Sequence, residues 1–327
     1  MPLFESSYQP PYLFRNGHLQ TVFPTLFRRI SVPQYSRERI QTPDGDFLDL
    51  DWIHNGSSEV ALLLHGLEGS SQAHYIRGTA AALSENDWDI CALNFRGCSG
   101  EPNRKFRSYH SGATEDVHTC ISHILSKDYD TVALVGFSLG GNLALKYLGE
   151  SKYQTADHIG SAVAISVPCD LESSANKISA PQNYPYEKRF LLRLRKKIKA
   201  KAKLFPDKIY FRQFRKIRKL REFDDLYTAP AHGYEDSSHY YSEASSRQFL
   251  STIATPTLII NAEDDPILSD ECYPREEAEN NPNLYLEIPR HGGHVGFISF
   301  TGKQYWHERR SVAFLNSSKQ NPAKADG

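Results

Sequence analysis

The stretch that decides the fold is Thr131-Val132-Ala133-Leu134-Val135-Gly136-Phe137-Ser138-Leu139-Gly140-Gly141. Its first five residues are apolar and rich in β-branched side chains, which is typical of a buried strand, and residues 142–148 contain good helix formers. A G-x-S-x-G motif between a strand and a helix predicts a sharp turn that lifts the serine hydroxyl clear of the sheet. The glycines are needed because strand and helix approach each other closely there. The alternative is a Gly-Ser loop in an ordinary strand-helix unit, and the rest of the chain has to decide.

Length and composition are compatible with one α/β unit that carries an insertion. An α/β core of roughly 200–250 residues plus an insertion accounts for the 327 residues. The 38 Lys and Arg balance the 39 Asp and Glu, so the overall charge indicates no nucleic-acid partner. The five cysteines are odd in number and include no C-x-x-C pair, which favours a reduced, cytoplasmic protein without a metal or redox site.

The chain shows no sign of export or of membrane insertion. Its first residues lack a basic region followed by an apolar one. No run approaches the about 20 apolar residues that are needed to span a bilayer. We therefore expect neither a signal peptide nor a transmembrane anchor.

Strand and helix patterns alternate along most of the chain. Apolar runs predict strands at 37–41, 47–53, 60–64, 89–94, 131–135, 159–167, 257–261 and 284–288, and helical patterns cover 74–84, 111–125, 142–148 and 305–315. Turn residues at 43–46 join the first two strands into a hairpin. The alternation predicts a mostly parallel central sheet covered by helices on both faces, with an inserted helical cap. Together with the G-x-S-x-G turn, this pattern favours an α/β-hydrolase fold.

The predicted fold brings three functional side chains to the carboxyl ends of strands, where the active sites of such sheets lie. Ser138, Asp265 and His294 follow each other in the chain order of α/β-hydrolase triads. The residue types suit nucleophilic catalysis, because a serine hydroxyl needs a base to take its proton and the base needs an acid to orient it. We expect Ser138 to be the nucleophile, Asp265 the acid and His294 the base.

Other residues compete for two of these roles. Asp264 is adjacent to Asp265, which we prefer because an apolar run follows it, as is usual for the acid in this fold. Asp170 is a second rival, since some α/β-hydrolases carry the acid after the preceding strand. His291 rivals His294 weakly, because the usual base follows the glycines.

Two backbone N–H groups are expected to form an oxyanion hole. The predicted strand 60–64 ends at His65-Gly66-Leu67, a loop of the type that supplies one amide in this fold, and the residue after the nucleophile supplies the other. These are the N–H groups of Leu67 and Leu139. The alternative is a glycine-rich turn with a structural His65.

The pattern divides the chain into five parts. They are an N-terminal arm at 1–30, a first core part at 31–170, a basic helical cap at 171–251, a second core part at 252–316 and a flexible tail at 317–327. The prolines and polar residues of 10–27 favour an irregular arm packed on the core over a segment that touches a membrane.

The cap is locally basic. Residues 188–221 are crowded with Lys and Arg, and their apolar residues have helical spacing. A solvated surface, weak contact with an anionic membrane surface and recognition of a negatively charged substrate group are all open, and nucleic acid is disfavoured because no binding motif accompanies the charge.

The chain resembles the YheT-like branch of the α/β-hydrolases, the abhydrolase-domain carboxylesterases. The matching segments run along nearly the whole chain: Asn16-Gly17-His18-Leu19-Gln20-Thr21, His65-Gly66-Leu67-Glu68-Gly69, residues 95–103, Gly136 to Asn142, Arg221-Glu222-Phe223-Asp224-Asp225, residues 262–266, and His291-Gly292-Gly293-His294-Val295-Gly296-Phe297. The resemblance implies hydrolysis of carboxylic esters with the three residues in the roles given above.

The expected reaction is hydrolysis of short- to medium-chain acyl esters, small-molecule substrates, through an acyl-enzyme and without a metal or other cofactor. The same acyl-enzyme is compatible with transfer to an alcohol or with cleavage of a thioester. A non-catalytic module that docks on membranes through its basic cap is the alternative of another class, and the intact triad argues against it.

Overall fold

The structure of the protein is a computed structural model that describes residues 3–153 and 158–319. The strands are β1 (Leu3–Phe4), β2 (Ser36–Gln41), β3 (Phe47–Ile53), β4 (Glu59–Leu64), β5 (Asp89–Asn94), β6 (Thr131–Phe137), β7 (Ile159–Ile165), β8 (Thr257–Ile260) and β9 (Leu284–Glu287). Within the described residues they form one sheet in the order β1-β9-β8-β7-β6-β4-β5-β3-β2. The pairs β2-β3 and β3-β5 are antiparallel and the remaining pairs are parallel. The predicted hairpin and the mostly parallel sheet are confirmed.

Helices cover both faces of this sheet. The helices of the described residues, including those of an insertion, are α1 (Gly17–Phe27), α2 (His74–Ser84), α3 (Thr114–Leu125), α4 (Leu139–Gly149), α5 (Leu171–Ile178), α6 (Tyr184–Leu204), α7 (Phe211–Phe214), α8 (Leu220–Phe223), α9 (Ala229–His232), α10 (Ser237–Ala244), α11 (Arg275–Asn280) and α12 (Trp306–Lys319). Successive residues of a strand point to opposite faces. Leu62 and Leu64 of β4 accordingly pack in one apolar cluster with α3 and α4, whereas Ala61 and Leu63 pack in another with α2 and α12.

A run of helices is inserted between β7 and β8, where the sequence predicts the cap. It comprises α5 to α10, three-residue and six-residue 3₁₀ segments, and a π-helical turn at Asp224–Thr228. The buried face of α6 packs on the helices that follow it, through Leu194 and Ile198 against Phe223 and Tyr227. The insertion therefore has an apolar cluster of its own.

The N-terminal arm differs from the irregular segment that the sequence led us to expect. Its residues 17–27 form α1, because the Asn16 side chain caps the helix by accepting the N–H of Leu19 at 3.1 Å. Proline counts against a helix only inside it, where it removes one backbone donor and crowds the preceding turn. Two of the three prolines precede α1 and only Pro24 lies within it.

The C-terminal helix also differs in length from the prediction. It ends at Lys319, four residues beyond the predicted end at 315, so residues 317–319 belong to the helix and not to a tail. Residues 320–327, the remainder of the predicted tail, lie outside the described part of the chain.

Candidate active site

Ser138 lies in the turn between β6 and α4 with φ 53° and ψ −120°. A positive φ is strained for a residue with a side chain, and such strain is found at functional sites. The glycines around it are required by contact: a Cβ on Gly136 would lie 2.4 Å from the carbonyl oxygen of Gly140, and a Cβ on Gly140 would lie 2.3 Å from that of Leu64. The local sequence thus folds into the sharp turn that the motif predicts.

The structure brings Ser138, His294 and Asp265 into one hydrogen-bonded line. His294 Nε2 is 3.0 Å from Ser138 Oγ, and His294 Nδ1 is 2.8 Å from Asp265 Oδ2. Asp265 is 4% exposed, and its other oxygen accepts the N–H of Ile267 at 2.8 Å. Because an ionised carboxylate only accepts hydrogen bonds, Nδ1 carries the proton and Nε2 is free to accept the proton of the serine.

The competing residues have other partners. Asp264 Oδ2 is 3.2 Å from His291 Nδ1, and Asp264 Oδ1 accepts the N–H of Gly293 at 2.8 Å. Asp170 caps the N-terminus of α5 by accepting the N–H of Ser173 at 2.9 Å. Asp264 and His291 thus form a separate pair that holds the loop before His294.

The loop after β4 lies against the turn of Ser138, since a Cβ on Gly66 would be 3.1 Å from the serine Cβ. His65 is fully buried and has a structural role in this loop. Its Nδ1 donates to the Gly66 carbonyl at 2.7 Å, and its Nε2 accepts the N–H of Phe95 at 3.2 Å. Burial lowers the pKa of His65 to about 3, so the ring is neutral, as these two bonds require.

Leu67 follows Gly66 in this loop, and Leu139 follows Ser138 at the start of α4. Leu139 is the first residue of α4, where a helix leaves its N–H groups without intrahelical acceptors. Within residues 3–153 and 158–319, no carbonyl or side chain accepts a hydrogen bond from the N–H of either residue. Both donors are therefore available to a bound group.

Residues of α1 support the histidine, which sequence reasoning missed. The backbone N–H of His294 donates to Thr21 Oγ1 at 2.8 Å, and Thr21 Oγ1 donates to the Gly17 carbonyl at 2.6 Å. The N–H of Val295 donates to Ser166 Oγ at 2.9 Å. The only sequence signal for the contact between His294 and Thr21 was that the Asn16 to Thr21 segment resembles the family, and no role was assigned to that segment.

An apolar cavity of about 150 Å³, the cap cavity, opens at Ser138 beneath the inserted helices. Its walls are mostly apolar side chains of the insertion and of neighbouring loops: Leu139, Leu171, Ala175, Ile178, Phe190, Leu194, Ile198, Leu220, Phe223, Tyr227 and Ile267. Charged side chains also line it, namely Glu68, Lys197, Lys201 and Asp224. Burial lowers the pKa of Lys201 to about 7 and raises that of Asp224 to about 6.

Neither a metal site nor a membrane-spanning helix is found among the residues that the structure describes. Among the residues that the structure describes, no group of three or more His, Cys, Asp and Glu side chains is arranged to hold a metal ion. In the same part of the chain, each helix is too short or too polar to cross a bilayer.

The chain is similar in sequence to a known family and to several known proteins. Residues 60–301 match the family model described as "alpha/beta hydrolase fold". The chain is 38% identical over 314 residues to "Putative esterase YheT" of Escherichia coli K12, covering 93% of this chain and 91% of that protein. It is 30% identical over 308 residues to "Phospholipase ABHD3" of Mus musculus, covering 91% and 74%. It is 28% identical to "Monoacylglycerol lipase" of Saccharomyces cerevisiae, covering 93% and 79%.

Solved structures agree on the fold. The esterase Pf2001 of Pyrococcus furiosus matches with a TM-score of 0.60 at 18% identity, over 89% of this chain and 95% of that one. The expected enzyme class, a carboxylic ester hydrolase, agrees with the names of the relatives and is confirmed. The chain belongs to the α/β-hydrolase family, in its YheT-like branch.

Proposed function

We propose that the protein hydrolyses carboxylic esters of short- to medium-chain acids through an acyl-enzyme on Ser138. The observation that carries the proposal is the line of hydrogen bonds from Asp265 through His294 to Ser138, at 2.8 and 3.0 Å. Nucleophile, base and orienting acid within such distances are the geometric signature of nucleophilic catalysis. The names of the relatives, an esterase, a phospholipase and a monoacylglycerol lipase, support ester hydrolysis as the reaction.

Acylation begins when Ser138 Oγ attacks the ester carbonyl and His294 Nε2 takes its proton. Asp265 stabilises the imidazolium that forms. The negative charge on the former carbonyl oxygen is received by the N–H groups of Leu67 and Leu139, an effect of about 3–4 kcal/mol for one such donor. The intermediate then collapses: the bond to the alcohol oxygen breaks, and this oxygen takes the proton from His294.

Deacylation repeats these steps with water. His294 takes a proton from the water, the hydroxyl oxygen bonds to the acyl carbon, and the bond to Ser138 breaks. The acid leaves and Ser138 regains its proton from His294. The sequence of steps needs no cofactor.

The cap cavity is suited to the acyl chain. It begins at Ser138 and His294 and continues between apolar side chains, among them Leu194 and Phe223. Its volume of about 150 Å³ lies below the range of about 300–1,000 Å³ that is usual for larger ligands, which favours short and medium chains.

Hydrolysis of p-nitrophenyl esters from acetate to palmitate tests the proposal. We expect a maximum at one chain length and a loss of about 10⁴-fold or more in Ser138→Ala. Ser174→Ala is the matched control, because Ser174 also lines the cap cavity but bonds to Cys272 Sγ and not to His294. Equal rates in the wild-type protein and Ser138→Ala refute the acyl-enzyme.

The same acyl-enzyme supports transfer to an alcohol or cleavage of a thioester. Added ethanol distinguishes transfer from hydrolysis, because ethyl ester then forms at the expense of free acid. A decanoyl thioester tested beside the oxygen ester determines which bond the enzyme prefers.

Contact of the cap with an anionic membrane surface is a further proposal about the same molecule. Exposed apolar side chains stand among the lysines of α6, with Leu192 54% and Leu204 53% exposed. Such a mixture favours the surface of an anionic bilayer. Flotation with anionic but not neutral liposomes, reversed by salt, is the expected result, and equal behaviour with both refutes it.

A further inference from the structure

A second cavity reaches Ser138, and we call it the arginine cavity. Its volume is about 520 Å³, and it lies between α1, α6 and the residues that lead into α2. It shares Leu67, Ser138 and His294 with the cap cavity. A molecule bound at Ser138 thus has two directions in which to extend.

The arginine cavity carries a concentrated positive charge. The five arginines that line it are Arg28, Arg29, Arg77, Arg189 and Arg193. Among its described lining residues there is no aspartate or glutamate. The cap cavity differs from it, because apolar side chains dominate its lining and its two lysines, Lys197 and Lys201, are accompanied by Glu68 and Asp224.

Two of these arginines are held by other residues. Arg28 forms a bidentate pair with the buried Glu308, with both distances 2.7 Å. Arg77 donates to Gln72 Oε1 at 2.9 Å and to the Ile30 carbonyl at 2.7 Å. They contribute charge at fixed positions but have fewer donors left for a ligand.

Arg189 and Arg193 are the available pair. They lie one turn apart on the same side of α6, at the spacing of neighbouring side chains. Arg193 donates to the Glu68 carbonyl at 3.2 Å, and the guanidinium of Arg189 forms no hydrogen bond or ion pair with any described residue. Arg189 is exposed to solvent, and partial desolvation together with the charge of Arg193 lowers its pKa.

A neutral histidine completes the wall. His74 lines the cavity, and its Nδ1 is buried without a hydrogen-bond partner in the described chain. Burial and the charges of Arg28 and Arg189 lower its pKa to about 3, so it adds no charge at neutral pH. A buried polar atom without a partner is costly unless a ligand or water satisfies it.

We propose that the arginine cavity binds an anionic phosphate on the alcohol part of the ester, so that the substrates are acyl esters of phosphate-bearing alcohols. The inference rests on the proposed function, because it takes the cap cavity as the acyl site and leaves the second direction to the alcohol. A guanidinium group can donate two parallel hydrogen bonds to two oxygens of one phosphate. Arg189 and Arg193 place two such groups side by side. No carboxylate of the described lining competes with the anion.

The covalent chemistry is unchanged by this assignment. The bond from the acyl carbon to the alcohol oxygen breaks, His294 gives its proton to that oxygen, and the phosphate-bearing alcohol leaves intact. The arginines bind the phosphate throughout and form or break no covalent bond.

The test compares two esters with the same acyl chain, 1-decanoylglycerol and 1-decanoylglycerol 3-phosphate, below the concentrations at which they form micelles. We expect kcat/KM to be at least tenfold higher for the phosphate ester at low salt, mainly through KM, and the preference to fall in 0.5 M NaCl. In Arg189→Gln/Arg193→Gln the ratio between the two esters is expected to approach one. The ratio is measured within one protein, so partial unfolding of the variant does not affect it.

Lys199→Gln is the matched control, because Lys199 is an exposed cation of α6 outside the lining of both cavities. The wild-type ratio is expected there. Equal kcat/KM for the two esters, or a preference that survives in the double variant, overturns the proposal while hydrolysis itself stands. A third ester, with a neutral alcohol and a carboxylate at the end of the acyl chain, separates the two directions: if it gains from the arginines instead, the anion belongs to the acid and the assignment is wrong.

Failure of the proposed function gives a different result, since no ester is then cleaved faster than by Ser138→Ala. Calorimetry of Ser138→Ala with glycerol 3-phosphate measures the cavity without catalysis. Binding that is lost in the additional Arg189→Gln/Arg193→Gln change supports the site, and absence of binding at millimolar concentration overturns it. Binding of phosphate-containing vesicles without binding of glycerol 3-phosphate also overturns it, because the cation cluster then contacts a lipid surface.

Discussion

Replacement of Asp265 by Asn tests which acid orients the base. The asparagine keeps the size of Asp265, and its oxygen can still accept the N–H of Ile267, which is 2.8 Å from Asp265 Oδ1. Its NH₂ group then faces His294 Nδ1 at the present 2.8 Å, so a donor meets a donor. The imidazole is driven to the other tautomer, with its proton on Nε2 facing Ser138, and in that form it cannot take the serine proton.

The expected loss follows from this tautomer. A base held in the wrong form costs about 10⁴-fold in kcat, which corresponds to about 5.5 kcal/mol of barrier. KM is expected to change little, because Asp265 lies behind His294 and is 4% exposed.

Two matched variants carry the same substitution at the rival acids. Asp170→Asn is expected to leave kcat within about twofold, since Asn and Asp cap helices equally well. Asp264→Asn weakens the bonds to His291 and Gly293 and is expected to cost less than about tenfold.

The assay is steady-state hydrolysis of p-nitrophenyl butyrate by the three variants, with thermal unfolding of each protein measured in parallel. The reasoning is refuted if Asp265→Asn keeps more than a tenth of the wild-type kcat. It is equally refuted if Asp170→Asn or Asp264→Asn loses the larger factor while remaining folded.

Two further predictions concern residues around the triad. Lys201, 7% exposed in the cap cavity with a pKa of about 7, changes from mostly charged at pH 6 to mostly neutral at pH 8, so the neutral fraction rises about tenfold. The KM of a decanoate ester should therefore fall up to about tenfold relative to the KM of an acetate ester over this pH range. Lys201→Met should remove this pH effect. A ratio of the two KM values that does not change with pH in the wild-type protein contradicts the prediction. Since the native chain releases this proton near pH 7 and the unfolded chain near 10.5, the lysine also makes the free energy of unfolding rise with pH between these values. Thr21→Val removes the acceptor of the His294 N–H and should lower kcat about tenfold with little change in KM. Thr21→Ser keeps the hydroxyl acceptor and should keep the wild-type kcat. Equal kcat values in the two variants contradict a positioning role for Thr21.

The sequence predicted those parts of the molecule that are determined locally. The helix at 74–84 and the strand at 89–94 have the predicted bounds, because apolar spacing reports directly which side of an element is buried. The turn of Ser138 was predictable for the same reason, since strand, glycines and helix are contiguous. In α1 the local signal was misleading: prolines were counted against a helix that begins after two of them.

Contacts between distant segments were beyond this reasoning. The arginines of this cavity come from the segment after α1, from α2 and from α6. They are separated by up to 165 positions, Arg28 to Arg193, and nothing in any one segment indicates that their charges converge. The basic character of α6 was evident from the sequence, but which of its cations face Ser138 depends on how the insertion packs on the core.

The Asn16 to Thr21 segment has both a recognisable local pattern and contacts with distant segments. Its sequence resembles that of the family, but the sequence alone assigned no chemical role to its residues. The structure shows which contacts these residues make. A Cβ on Gly17 would lie 1.8 Å from the Asp264 carbonyl oxygen, and the Gln20 side chain accepts the N–H of Ile298 at 2.8 Å. With the bond from the His294 N–H to Thr21, α1 thus contacts the loops that carry Asp265 and His294. If His294 is the base, as proposed, it must stay within hydrogen-bond reach of Ser138, and α1 then helps to hold the proposed triad together although it lies more than 100 residues from each of its members in the sequence.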